Sequence, residues 1–342
     1  MLIRPLLTLV MMILTGCSKP AVPRVVVYCA QDREFAEGLF GDFTAATGLP
    51  VSPKFDSEAA KSVGLATELS LEAKRPRCDV HWNNEILGTI RLQREGVYEP
   101  YDSPSAAAYP GWARAPDHAW TAFAARARVI VVNTKLVAEK DYPRSILDLA
   151  DPKWKDRVAM AKPLFGTTAT QAACLFDVLG AAGATAYYRA LKENGVRIVA
   201  GNKHVAEGVA RGDFAVGITD TDDAMGELEA DRPVTLVFPD RDGNSRYPKL
   251  GTLFIPNTVA VIRNAPNRDG ARRLIDFLLS AVSERRLAEG PSHQIPINPN
   301  VSSKLPPLLA TPAQAKPMDV DWNKAADNWA ESQRLMAELF GR

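Results

Sequence analysis

An α/β architecture of two doubly wound lobes is what this sequence predicts, and three observations predict it. From residue 25 onward, short apolar runs alternate with amphipathic stretches, the strand-helix-strand rhythm of parallel βαβ units. The chain has 342 residues, more than one core of ordinary size encloses. Two long apolar strand patterns, at residues 122–133 and 253–262, break the rhythm and read as connections between two such units.

The elements follow in order. VVVYCA at residues 25–30 reads as a buried strand, because strands covered on both faces are continuously apolar. A helix opens at Gln31–Glu34, with Phe35, Leu39, Phe40 and Phe43 spaced for one face, and Gly48 stops it. Residues 49–55 read as a second strand, 61–73 as a helix and 78–82 as a third strand. A Pro-rich aromatic segment then leads to the long strand AFAARARVIVVN, in which Arg126 and Arg128 are the charged members. A short helix at 145–149 and a strand at 158–161 come next. Helices at 167–179 and 184–194 precede a strand at 196–200, a helix at 203–211 and a strand at 214–219. A helix at 224–230, a strand at 234–238 and a polar loop at 240–249 lead to the second long strand. Helices at 271–280, 284–289 and 325–340 complete the chain, the last after a Pro-rich stretch.

Composition excludes several classes. Hydrophobic residues are 46% and charged residues 24%, which is a globular balance. Lys+Arg number 41 and Asp+Glu 40, so no basic field suits nucleic acid. No stretch has the 18 or so apolar residues of a spanning helix. Four cysteines are too few for a disulfide scaffold.

Residues 1–17 read MLIRPLLTLVMMILTGC. A basic residue, a short apolar run and small residues before a cysteine describe a secretory leader. Its end, Leu14-Thr15-Gly16-Cys17, resembles the lipobox of bacterial lipoproteins. That implies cleavage before Cys17, lipidation of its thiol and a membrane-anchored protein, with residues 18–24 as a tether. Cys29, Cys78 and Cys174 then remain, an odd number, and their apolar surroundings suit buried thiols.

Open α/β sheets bind ligands at the carboxyl ends of their strands. Those ends carry Asp32, then Asn84 and Glu85, then Gly166-Thr167-Thr168, then Asn202, then Asp220-Thr221-Asp222-Asp223. Gly166, Thr167 and Thr168 open a helix, where free N–H groups and the helix dipole suit an anion, or where a Thr simply caps the helix. The clustered aspartates could take a cation. Arg126, in an apolar strand, needs a carboxylate or an anionic ligand as partner. Tyr187 and Tyr188 sit within an amphipathic helix and read as packing residues. The histidines, His81, His118, His204 and His293, lack zinc spacing. No nucleophile elbow or Walker loop is present, so nothing requires catalysis, and no catalytic residue or obligatory cofactor is assigned.

The order of the lipobox, VVVYCAQDREFAEGLFGDFTAATGLPV, CDVHWNNEILGTIRLQREGVYEPY, AFAARARVIVVN, VARGDFAVGITDTDDA and GTLFIPNTVAVI resembles the family 1 extracellular solute-binding proteins of ABC transporters, in their ferric-iron and thiamine-binding branch. The resemblance implies a type II periplasmic-binding-protein fold, with lobe 1 at residues 25–125 and 255–342 and lobe 2 at 126–254, hinged by two crossing strands. It implies a monomer at the periplasm or cell surface that serves an ABC permease and ATPase. Ferric binders of the family use a His, a Glu and adjacent Tyr residues. Asp32 stands at the His position, Glu85 at or next to the Glu position, and Thr221 and Asp222 at the Tyr pair. Asp32, Glu85 and Asp222 are therefore the metal candidates, for a ferric ion with a synergistic anion held by Gly166, Thr167, Thr168 and Asn202. A phosphorylated or cationic small molecule, such as a thiamine phosphate or an aminophosphonate, is the alternative ligand. A ligand sensor and a secreted lipoprotein enzyme are alternatives of another class.

Overall fold

The computed structural model describes residues 24–56 and 64–341. The leader, Cys17, most of the tether and the start of the helix expected from residue 61 lie outside the described residues. β1 (Val25–Cys29), α1 (Arg33–Thr47), β2 (Val51–Phe55), α2 (Gly64–Glu72) and β3 (Val80–Asn83) come first. β1 lies between β2 and β3 and is parallel to both. α1 turns Ala36, Leu39, Phe40 and Phe43 inward and ends at Gly48, whose φ is 70°, a conformation glycine adopts without a Cβ clash. The Trp82 ring is fully buried and packs 5.8 Å from Phe40 and 5.2 Å from Phe123, centroid to centroid.

One helix is absent from the sequence reading. α3 (Ile86–Arg94) begins directly after β3, capped by Glu85. It has 9 residues, too short a window for its apolar spacing to separate helix from strand.

After β4 (Tyr98–Glu99), the long β5 (Thr121–Asn133) belongs to both halves of the molecule. Its first half pairs antiparallel with β10 (Phe254–Ile262), and its second half pairs with β8 (Val216–Asp220) and β9 (Val234–Val237). β8 and β7 (Arg197–Val199) flank β6 (Val158–Ala161) in a second parallel set. The strand order β2-β1-β3-β10-β5-β8-β6-β7 thus joins two parallel α/β units through β10 and β5, the two long strands expected to cross.

α4 (Gly166–Glu193) runs through both helices read from the sequence, with Gly180 at φ 73° between them. α5 (Asn202–Arg211), α6 (Thr221–Glu229), α7 (Arg268–Leu278) and α8 (Ala281–Glu289) follow. The terminal helix is two, α9 (Trp322–Asp327) and α10 (Trp329–Phe340), divided at Asn328. α9 packs on α3 and α4, and α10 lies along α4. The tail that the sequence groups with the first lobe therefore also reaches the second. Cys29, Cys78 and Cys174 are buried thiols rather than a disulfide, and among the described residues no helix is long and apolar enough to cross a membrane.

Candidate functional site

Four helices start around one small cavity. Asp32 precedes α1, Gly166 and Thr167 begin α4, Asn202 begins α5, and Asp220 precedes α6 with Asp222 and Asp223 in its first turn. The residue before each helix makes no side-chain cap, although at α6 the Asp223 N–H donates to Asp222 Oδ1 at 3.2 Å, so the starts of α1, α4 and α5 direct backbone N–H groups and the positive end of the dipole outward. The cavity is about 30 Å³ and is lined by Asp32, Asn84, Arg126, Gly166, Thr167, Asn202, Asp220, Asp222 and Asp223. Gly166 has φ 54° there, and any side chain would strain that backbone. Parallel β1, β3, β6 and β8 all end nearby, which is why residues distant in sequence meet.

Two buried arginines organise the polar groups. Arg126 is 3% exposed. Its guanidinium donates to Gln31 Oε1 at 3.1 Å and to the Asn84 carbonyl at 2.6 Å. It also lies 3.5 Å from Asp220 and 3.7 Å from Asp222. Burial opposes the charge on Arg126, but Asp222 and Asp220 more than offset this and raise its pKa. Arg128 is 1% exposed and pairs with Asp220 at 2.8 Å. It also donates to Asn202 Oδ1 at 3.0 Å, Gln171 Oε1 at 3.1 Å, and the hydroxyls of Thr167 and Thr168 at 3.3 Å each. Asp220 further accepts from Thr167 Oγ1 at 2.6 Å and Asn202 Nδ2 at 3.0 Å. Burial would raise the Asp220 pKa, but Arg128 and Arg126 hold the carboxyl below its ordinary value.

Carboxylate oxygens of Asp220, Asp222 and Asp223 lie within 4.8 Å of one another. Asp220 and Asp222 of this cluster lie 2.8 Å from Arg128 and 3.7 Å from Arg126, respectively, while Asp222, Asp223 and Asp32 line the cavity. These three also line a wider outer cavity of about 470 Å³, together with Phe35, Lys203, His204 and Glu227.

Most of the expected residues come together here, but one metal candidate does not. Glu85 accepts from the N–H groups of Leu87 and Gly88, each at 2.8 Å, and from Thr170 Oγ1 at 3.0 Å. Its carboxylate is 2% exposed, spent on capping α3, and the neighbouring Asn84 lines the cavity instead. The expectation that Glu85 ligates a metal is therefore corrected. Thr168 and Thr221 stand behind the lining. The Thr168 hydroxyl donates to Asn202 Oδ1 at 3.2 Å, and the Thr221 hydroxyl accepts from Ala127 N at 3.2 Å. Tyr187 and Tyr188 pack within α4, their rings 5.1 Å apart, with the Tyr187 hydroxyl on the Ile146 carbonyl. Sequence reasoning did not place Arg128 among the site residues. The available signal was its spacing, two residues after Arg126 in a strand where alternate side chains share a face.

A two-part α/β fold with a polar cavity where helix starts converge defines a binding protein of the type II periplasmic class. The chain belongs to the bacterial extracellular solute-binding proteins, whose family pattern matches residues 90–328. It is 29% identical over 286 residues to the major ferric iron-binding protein of Neisseria meningitidis, covering 83% of this chain and 84% of that one. It is 24% identical over 266 residues to a putative 2-aminoethylphosphonate-binding periplasmic protein of Salmonella typhimurium, covering 75% and 73%. Its fold matches iron-bound HitA of Pseudomonas aeruginosa with a TM-score of 0.80 at 21% identity, over 92% of this chain and 99% of that one. It also matches AfuA of Actinobacillus pleuropneumoniae, solved with fructose-6-phosphate, with a TM-score of 0.78 at 23% identity, over 93% and 99%. The protein is a binder of solutes and not an enzyme.

Proposed function

We propose that this protein captures a hard cation together with a small anion outside the cytoplasmic membrane and hands it to an ABC permease and its ATPase. Ferric iron is the foremost cation. The observation that carries this reading is the convergence of three carboxylates within 4.8 Å on a cavity also lined by uncapped helix starts. Hard cations take oxygen donors. The carboxylates of Asp32, Asp220, Asp222 and Asp223 against the guanidiniums of Arg126 and Arg128 formally leave the site two negative charges in excess, which a cation would offset. The anion would sit at the starts of α4 and α5, on Gly166, Thr167 and Asn202, with Arg126 beside it. The names of the ferric iron-binding relatives support the same choice. So does periplasmic residence, with an anchor on Cys17, which the leader sequence suggests.

A phosphorylated or cationic small molecule is the second reading. It is favoured by the outer cavity of about 470 Å³, which exceeds the need of an ion, and by the aminophosphonate and sugar-phosphate names among the related proteins.

Native mass spectrometry and elemental analysis of protein purified without refolding, followed by titration with ferric nitrilotriacetate, test the first reading. Iron at one equivalent supports it. A metal-free protein that ignores ferric nitrilotriacetate but binds 2-aminoethylphosphonate replaces it with the second. The anchor is tested separately: Cys17→Ala should leave the protein unprocessed or release it from the membrane fraction. Normal processing with full membrane retention would refute lipidation at Cys17.

A further inference from the structure

β5 contains one residue too many. Phe123 pairs with Asn257 and Ala125 with Pro256, so Ala124 has no partner on β10. This is a β-bulge, and the extra residue has φ 41°, a left-handed conformation disfavoured for a residue with a Cβ. Bulged backbone groups must find partners outside the ladder. The Ala124 N–H donates to Glu284 Oε1 at 2.6 Å, and its carbonyl accepts from Asn257 Nδ2. Glu284 is wholly buried, far along the chain on α8. The same carboxylate accepts from Ile297 N at 3.1 Å and Asn298 N at 2.8 Å. Asn257 also donates to Gln294 Oε1 at 2.9 Å and accepts from Trp82 Nε1 at 3.1 Å.

The bulge decides which way the two arginines face. Paired residues on neighbouring strands share a side of the sheet, and successive residues alternate. Asn257 and Ile255 share a side, so their partners Phe123 and Arg126 do too. Phe123 and Arg126 are three residues apart and would face opposite ways in a regular strand. The extra residue inverts the phase and brings Arg126 and then Arg128 to the cavity side. Without it they would exchange places with Ala125 and Ala127, which lie in the apolar cluster on the other face.

We propose that Glu284 is a positioning residue for the ligand site: its buried carboxylate holds the bulge at Ala124 and thereby fixes Arg126 and Arg128 in the cavity. The inference rests on that cavity being the ligand site, and its test includes a readout that needs no ligand. Glu284→Gln keeps the shape but places an amide against backbone donors. Hydrogen exchange of the ligand-free protein should then quicken about tenfold across residues 121–129, the scale set by losing a charged hydrogen bond, while α1 is unchanged. Ferric nitrilotriacetate should bind about tenfold more weakly on the same basis. A control of similar melting temperature remote from the bulge, Leu69→Ala, should bind within about twofold of the starting protein, since distant sites act independently. If Glu284→Gln does not fold, Asn257→Ala removes the other half of the clasp and should show the same pattern. Faster exchange confined to residues 281–298, with residues 121–129 unchanged, would overturn the proposal. So would Glu284→Gln binding equal to that of the control. If the starting protein takes up no iron, the ferric reading fails, while the exchange result still decides the role of Glu284.

Discussion

Asp220 and Asp222 are two residues apart, line the same small cavity and do different work. Asp220 is enclosed by Arg128, Thr167 and Asn202, with Arg126 3.5 Å away. Asp222 stands in the first turn of α6, 3.7 Å from Arg126, where the inner cavity meets the outer one. The inner aspartate neutralises an arginine and ties the starts of α4, α5 and α6 together. The outer one stands beside the second arginine, Arg126, and faces the space where a ligand would sit. Residue type alone does not say which aspartate is structural; the number and charge of its neighbours do.

Breaking the inner side should have the largest effect. Arg128→Met leaves Asp220 buried beside a weaker partner set and should cost about 3–5 kcal/mol of stability, measured by urea unfolding. A loss below about 1 kcal/mol would place the pair with exposed ion pairs and remove the contrast. The same variant has a pH signature. The folded Asp220 titrates below its ordinary value of 3.8, so its contribution is present above that value and is lost as pH falls through the lower folded pKa. Asp79, Asp240 and Glu284, raised by burial, act in the opposite sense. The informative quantity is thus the difference in melting temperature between the starting protein and Arg128→Met, which should narrow as the solution is acidified.

On the outer side, Asp222→Asn takes a carboxylate from beside buried Arg126, so it should cost some stability, less than Arg128→Met, and weaken ferric nitrilotriacetate binding by about 1–3 kcal/mol, the scale of a charged contact. Calorimetric titration reads this directly. Unchanged binding would move the cation elsewhere and dissolve the division of labour. Thr168→Val should do least, about 0.5–1.5 kcal/mol, because Thr168 stands behind the lining and the backbone donors of α4 remain. A larger loss of binding for Thr168→Val than for Asp222→Asn would reverse the ranking.

Most strands and most helices are legible in the sequence because burial on both faces and helical periodicity leave direct marks, whereas the two-residue β4 is too short to leave one. β6 occupies the residues expected, and β5 differs by one at its start. α3 is missed because a short helix beside a strand end gives few periods to count. The site is legible as a set of strand-end polar residues, but less so as a division of roles. Asn84 and Glu85 are adjacent, and only the register at the end of β3 decides that Asn84 lines the cavity while Glu85 caps α3. Arg128 carries more hydrogen bonds than any residue named from sequence suggested, because its partners lie 39 to 92 positions away.

By itself, the sequence determined the α/β class, the paired long strands and the polar groups gathered at strand ends. These follow from local pattern, which every residue carries in its own neighbourhood. The tertiary structure alone decided which acid is neutralised, which faces the cavity and which way Arg126 and Arg128 point. The last of these turns on a single extra residue at Ala124, whose N–H meets a carboxylate 160 positions along the chain. In a strand, a shift of one residue exchanges the two faces, and nothing in the local pattern of β5 records the distant group that holds the shift in place.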